Sequence, residues 1–277
     1  MSLLNTLGRL FLGWVALVVA QMVAGMLTPV NAPALPHTLQ WLIATDFLIA
    51  LTLGLISTRS NLTGWKLAAL LALVPFAIGV TNIIEGAVFL KSSKIAWSRL
   101  FLYDCLTYAL VFPLWRYIFA SRTSASTQGY QASLRAGRAA WKFLVSDLLY
   151  IVLYYTAGMI IFPFVRDFYA TQILPSTGTI VALQLVVRGP LFIGVCLLLA
   201  HLIELPRWSS ALAVGAAFAI LSGIAPLLMP NPYFPDSVRW VHMAEVTSSN
   251  FVFGAMVRLL WGEKTETRFP SVVHHAA

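Results

Sequence analysis

The segment at positions 178–203 reads GTIVALQLVVRGPLFIGVCLLLAHLI. It is long enough to cross the roughly 30 Å of hydrocarbon in a bilayer, for which about 20 apolar residues suffice. Its single fixed charge, Arg188, lies near the middle of the segment. A guanidinium at that depth is costly unless it faces the interior of a helix bundle. The segment therefore predicts both a membrane-spanning helix and a buried polar site.

Seven further segments have the same apolar character and lie at 9–30, 38–57, 65–90, 96–120, 142–165, 208–229 and 238–261. In the whole chain 59% of residues are hydrophobic and 10% are charged, whereas soluble domains carry about 25% charged residues. We therefore predict an all-α fold, a polytopic transmembrane bundle of about eight spans that forms one integral membrane domain over residues 1–277. Pro75 lies within the third span, where neighbouring helices can satisfy the freed backbone.

The formal net charge is +8, and the basic residues concentrate on one side of the predicted bundle. Because cytoplasmic loops carry an excess of Lys and Arg, we expect both termini to be cytoplasmic and the membrane to be the bacterial inner membrane. No basic surface interleaved with aromatic residues indicates a nucleic-acid partner. The partners that we expect are the lipid bilayer and a small-molecule substrate. The residues of the basic side are Arg9, Arg59, Lys66, Arg116, Arg122, Arg135, Arg138, Lys142, Arg207, Arg258, Lys264 and Arg268.

The longest loop, 121–140, is basic and separates two candidate halves, 1–120 and 141–265. It is interpreted either as an amphipathic helix on the cytoplasmic leaflet or as a solvated basic loop. The sequence Ala-Gly-Met recurs at 24–26 and at 157–159, near the end of the first span of each half. With four spans per half, the two halves would be parallel repeats about an axis along the membrane normal.

Four carboxylates lie inside predicted spans at depths similar to that of Arg188. With a rise of about 1.5 Å per residue, Glu85 lies about 8 Å and Glu245 about 10 Å below the outer face. Asp46 and Asp104 lie about 12 Å below it, and Arg188 about 15 Å. Costly charges at one depth predict a single polar pocket near the outer face.

For two of these carboxylates, a polar residue three positions earlier in the same helix offers a neutral partner. Asn82 and Glu85 are three residues apart and share a helix face, as do His242 and Glu245. Because a guanidinium stays charged, Arg188 should pair with one of the four carboxylates. We assign proton handling to Glu85, Glu245 and His242. The residues assigned to substrate binding are Asp46, Asn82, Asp104, Arg188 and Asn250.

Three functions fit this pattern. The first is a proton-linked transporter of a small cationic or amphipathic solute, because closely spaced buried carboxylates can take and release protons. The second is a membrane-embedded enzyme acting on a lipid or isoprenoid-type substrate, with Glu85 or Glu245 as general base. The third is a non-catalytic subunit whose ion pairs hold helices together. No cofactor is predicted, and a metal ion at His242, Glu245 and Glu85 is a further alternative.

The predicted orientation is testable with a single cysteine in the longest loop. We expect Gln128→Cys, in a background in which Cys105 and Cys196 are replaced by alanine, to resist an impermeant thiol reagent applied to intact cells. The reagent should label this cysteine once the cells are permeabilised, because the positive-inside rule places the loop in the cytoplasm. Labelling in intact cells would reverse the orientation.

Overall fold

The computed structural model describes residues 3–29, 37–89, 96–120, 136–171, 175–230 and 234–262. These residues form helices and short connections, with no β-strand among them. The eight long helices are α1 Leu3–Leu27, α2 Thr38–Thr58, α3 Gly64–Phe89, α4 Trp97–Ile118, α5 Ala136–Ala170, α6 Thr177–Leu202, α7 Arg207–Leu228 and α8 Asp236–Trp261. The predicted all-α class is confirmed.

Six of these helices, α1, α2, α3, α5, α6 and α7, are long and apolar enough to cross a membrane. The remaining two, α4 and α8, have 22 and 26 residues and are long enough, but they are less apolar than the six candidate spans. The chain is therefore a multi-pass helical membrane protein with six candidate spans, and the crossing of α4 and α8 stays a prediction. Their charged residues are Arg99, Asp104 and Arg116 in α4, and Asp236, Arg239, Glu245 and Arg258 in α8.

Prolines affect the helices in two ways. Helix α3 continues through Pro75, as predicted. Helices α6 and α7 instead contain one wider π-helical turn each, at Gln184–Arg188 and Ile220–Ile224. Each turn lies just before a proline, Pro190 or Pro226. A proline ring clashes with the carbonyl four residues earlier, which here falls within the π turn, so the wider turn provides the space.

The helices pack in two sets that have the same neighbour order. Helix α1 packs on α2 and α4, and α3 packs on α4; likewise α5 packs on α6 and α8, and α7 packs on α8. The two sets meet through α3 with α6 and through α2 with α7. This reciprocal order is compatible with parallel repeats, which stay a prediction. Most of the predicted basic loop, residues 121–135, lies outside the described residues, so its two interpretations stay predictions.

Small residues let α7 and α8 approach closely. The sequence places Ala211, Gly215 and Ala219 at four-residue spacing in α7, and the two alanines are buried. A methyl group at Gly215 would lie 2.6 Å from the carbonyl oxygen of Phe251 and 3.2 Å from Cβ of Ala255, both in α8. This stripe of small residues is therefore a helix-packing surface.

Gly215 gives a stability test of this packing. We expect Gly215→Ala to destabilise the bundle by about 1–3 kcal/mol, because the added methyl group meets backbone that cannot move aside. The matched control is Gly194→Ala in α6, where an added methyl group meets nothing within 4 Å. Thermal unfolding in detergent compares the two variants, and equal stability would contradict the close α7–α8 contact.

Candidate functional site

A cavity of about 460 Å³ opens at one end of the bundle. At this end α3, α5 and α7 finish and α4 and α8 begin. Six helices, α3 to α8, contribute its walls. Below the cavity, Tyr150, Phe192, Phe218 and Phe253 pack as one aromatic cluster with centroid separations of 4.9–6.1 Å. The cavity therefore rests on a rigid base that ties α5, α6, α7 and α8 together.

A buried ion pair forms one wall of the cavity. Arg188 Nη1 donates a hydrogen bond to Glu85 Oε1 and joins α6 to α3. The two side chains are 7% and 23% exposed, respectively. The guanidinium also lies 5.0 Å from the ring of Phe192, within cation–π range. The structure thus contains the predicted pairing of Arg188 with one of the four carboxylates.

A second pair lies on α8 and combines an imidazole with a carboxylate. His242 Nδ1 lies 2.8 Å from Glu245 Oε2, and the two side chains are 26% and 10% exposed. The imidazole ring also packs on Phe234, with a centroid separation of 5.5 Å. The pair follows from the three-residue spacing noted in the sequence. The pair therefore places an imidazole and a carboxylate together on one face of α8.

Polar amides complete the site. Asn250 Nδ2 donates a 2.8 Å hydrogen bond to Ser222 Oγ, and Ser222 in turn donates to the carbonyl oxygen of Phe218. This chain joins α8 to the π turn of α7. Six of the eight predicted site residues line the cavity, namely Asn82, Glu85, Arg188, His242, Glu245 and Asn250.

The other two predicted residues, Asp46 and Asp104, do not line the cavity. Asp46 is fully buried and accepts a hydrogen bond from Gln21 in α1. Asp104 Oδ2 occupies the space that a side chain at Gly79 in α3 would need. The prediction of one pocket for all five charges is therefore wrong. Depth along a helix does not fix the rotation of that helix about its axis, and α2 and α4 turn these carboxylates toward α1 and α3.

Sequence reasoning missed the aromatic walls. Five aromatic residues from two helices, α4 and α5, and from the loop before α8 surround the polar groups. The ring of Trp97 fits because Gly86 opposite it has no side chain. Four of them lie at helix ends, where aromatic residues commonly mark the membrane interface, so their position alone gave no signal. The five are Trp97, Tyr154, Phe168, Tyr169 and Phe234.

No protein-family model matches the chain, and no curated protein or solved structure gives a significant match. Among the residues that the structure describes, no three His, Cys, Asp or Glu side chains come together as a metal site. His242, Glu245 and Glu85 thus do not form the ligand set that the metal alternative requires. The site consists of an aromatic cavity with two polar pairs, Arg188 with Glu85 and His242 with Glu245.

The buried pair makes a specific stability prediction. We expect Arg188→Leu to destabilise the protein by about 3–5 kcal/mol, because it leaves Glu85 buried without its partner. The double variant Arg188→Leu/Glu85→Leu should recover part of that loss. The exposed pair of Arg166 and Asp167, 3.3 Å apart with side chains 68% and 95% exposed, is the matched control. Arg166→Leu should leave the melting temperature unchanged, and equal effects at Arg166 and Arg188 would contradict the assignment.

Proposed function

We propose that the chain is a proton-linked transporter of a small cationic or amphipathic solute. The observation that supports this best is the cavity itself, which combines aromatic walls with a carboxylate whose partner is an imidazole. Its volume of about 460 Å³ falls in the range of about 300–1,000 Å³ typical of small-molecule sites. The apolar part of an amphipathic solute would contact the rings, and its charge would meet the polar pairs.

The charges of the site favour a cation. Glu85 is balanced by Arg188, so that pair carries no net charge. Glu245 is matched only by a histidine in its ion pair, and with a neutral imidazole the site carries one net negative charge. The faces of Trp97 and the other aromatic residues attract cations through their quadrupoles. A protonated or quaternary amine therefore complements the cavity better than an anion does.

Proton linkage follows because a proton and the solute cation compete for the negative charge of this same pair. A proton on His242 cancels the charge of Glu245 and removes the electrostatic attraction for a cation. A bound cation has the opposite effect and favours release of that proton. Proton and solute would then occupy the site in turn, which is the arrangement that couples their movement.

The arrangement of the helices supports transport as well. The reciprocal neighbour order of the two helix sets is compatible with two parallel repeats, a common transporter architecture. Helices α6 and α7 are both interrupted by π turns close to the cavity, and such turns are frequent at functional sites. In the orientation that we predict from the basic loops, the cavity faces the outer side of a bacterial cytoplasmic membrane.

Glu245→Gln separates this proposal from a structural role. We expect the variant to lose pH-driven uptake of organic cations in proteoliposomes, because it removes the titrating carboxylate and keeps its shape. The melting temperature should change little, because Gln can still bond to His242. Asp167→Asn, which alters a side chain that is 95% exposed, is the control and should transport normally. A thermal-shift screen of amines and quaternary ammonium compounds identifies the cation to use.

The other outcomes separate the alternatives. Transport that Glu245→Gln leaves intact and that ignores the pH gradient would refute the proposal. Conversion of a lipid by the purified protein, abolished in Glu245→Gln, would support the membrane-embedded enzyme instead. A variant that changes only the melting temperature, with no solute bound by the native protein, would favour the non-catalytic subunit.

A further inference from the structure

A second polar centre lies outside the cavity, between α1, α2 and α4. Its central residue is Asp46 of α2, which is fully buried. Gln21 of α1 donates a hydrogen bond to Asp46, and Tyr103 and Tyr108 of α4 lie within electrostatic range of both Asp46 and Asp104. This centre is distinct from the Glu85–Arg188 and His242–Glu245 pairs.

The hydrogen bonding between Gln21 and Asp46 is only half complete. Gln21 Nε2 donates to Asp46 Oδ1 at 2.9 Å. The other oxygen of each group, Gln21 Oε1 and Asp46 Oδ2, is buried without any hydrogen-bond partner. Both atoms are acceptors if Asp46 is ionised, so neither can satisfy the other. A proton on Asp46 Oδ2 makes that oxygen a donor, and a planar acid–amide pair with two reciprocal hydrogen bonds results.

No positive charge replaces that proton. Among the described residues, neither Asp46 nor Asp104 takes part in an ion pair. The titratable groups within electrostatic range of Asp46 are Tyr103 and Tyr108 of α4, and α1 contributes the neutral amide of Gln21. Burial favours the uncharged form of an acid.

We propose that Asp46 is a proton-binding site of this protein and that it holds its proton in an acid–amide pair with Gln21. The proton-bound state needs no further ligand, and loss of the proton leaves an unpaired charge between α1 and α2. The proposal concerns proton binding alone and does not depend on what the cavity binds.

A contact connects this site to the cavity. Thr45, the residue before Asp46, donates a 3.3 Å hydrogen bond from Oγ1 to the carbonyl oxygen of Ala225 in α7. Ala225 follows the π turn of α7 and precedes Pro226, which lines the cavity. A shift of α2 on proton release therefore acts directly on a cavity wall. If the proposed transport function holds, this is where a proton would influence solute binding.

Infrared spectroscopy of the full-length protein in lipid tests the proposal. At neutral pH we expect a carboxylic-acid C=O band that shifts in heavy water and that Asp46→Asn removes. Gln21→Leu should move this band to higher frequency, because the acid loses its hydrogen-bond partner. Asp167→Asn is the matched control, and it should leave the band unchanged because Asp167 is exposed.

Two results would overturn the proposal. One is a native spectrum at neutral pH in which no acid band responds to either Asp46→Asn or Gln21→Leu. The other is a sodium-dependent rise in melting temperature, compared with choline chloride, that Asp46→Asn abolishes, since that would assign the site to Na⁺. If Asp46→Asn fails to fold, the shift in the Gln21→Leu spectrum and the sodium titration of the native protein decide the question. The infrared and sodium tests both measure binding at Asp46, so they remain valid if the protein transports no solute.

Discussion

The bundle depends on one constraint, which is that a charge inside the bilayer must have a partner. The pair of Arg188 and Glu85 meets it by joining α6 to α3, and so it links the two helix sets at one of the contacts between them. Desolvation makes such a pair expensive to separate. The interface between the sets is therefore held by a polar contact, whereas within the second set α7 and α8 are held by close packing of small residues.

The chemistry of the cavity depends on which helices its two polar pairs join. The pair of Arg188 and Glu85 joins α6 to α3, whereas His242 and Glu245 pair within α8. The aromatic cluster beneath the cavity links α6, which carries Arg188, to α8 through Tyr150 of α5. Ser222 and Asn250 connect α8 to the π turn of α7, the one part of α7 that departs from regular α-helix.

Much of the fold follows from the sequence, because long apolar runs and their lengths decide which segments form membrane helices. Spacing within a helix was equally informative, and it correctly paired His242 with Glu245. The misassignment of Asp46 and Asp104 has a definite cause, since depth is a property of one helix whereas rotation depends on its neighbours. The aromatic walls were missed because Trp97 and Tyr169 lie where interfacial aromatics also occur. The burial of Arg239 in the first turn of α8, where it is 2% exposed, was not predicted either.

Arg239 joins the end of α7 to the start of α8 at the edge of the cavity. Its guanidinium donates to the carbonyl oxygens of Leu227 and Leu228 at 2.8 and 2.7 Å, and to Asp236 Oδ1 at 2.9 Å. One side chain on α8 thereby fastens the last turn of α7, whose carbonyls have no partner within their own helix. Leu227 of α7 and His242 of α8 both line the cavity, so a single guanidinium holds together the two helix ends at this edge of it.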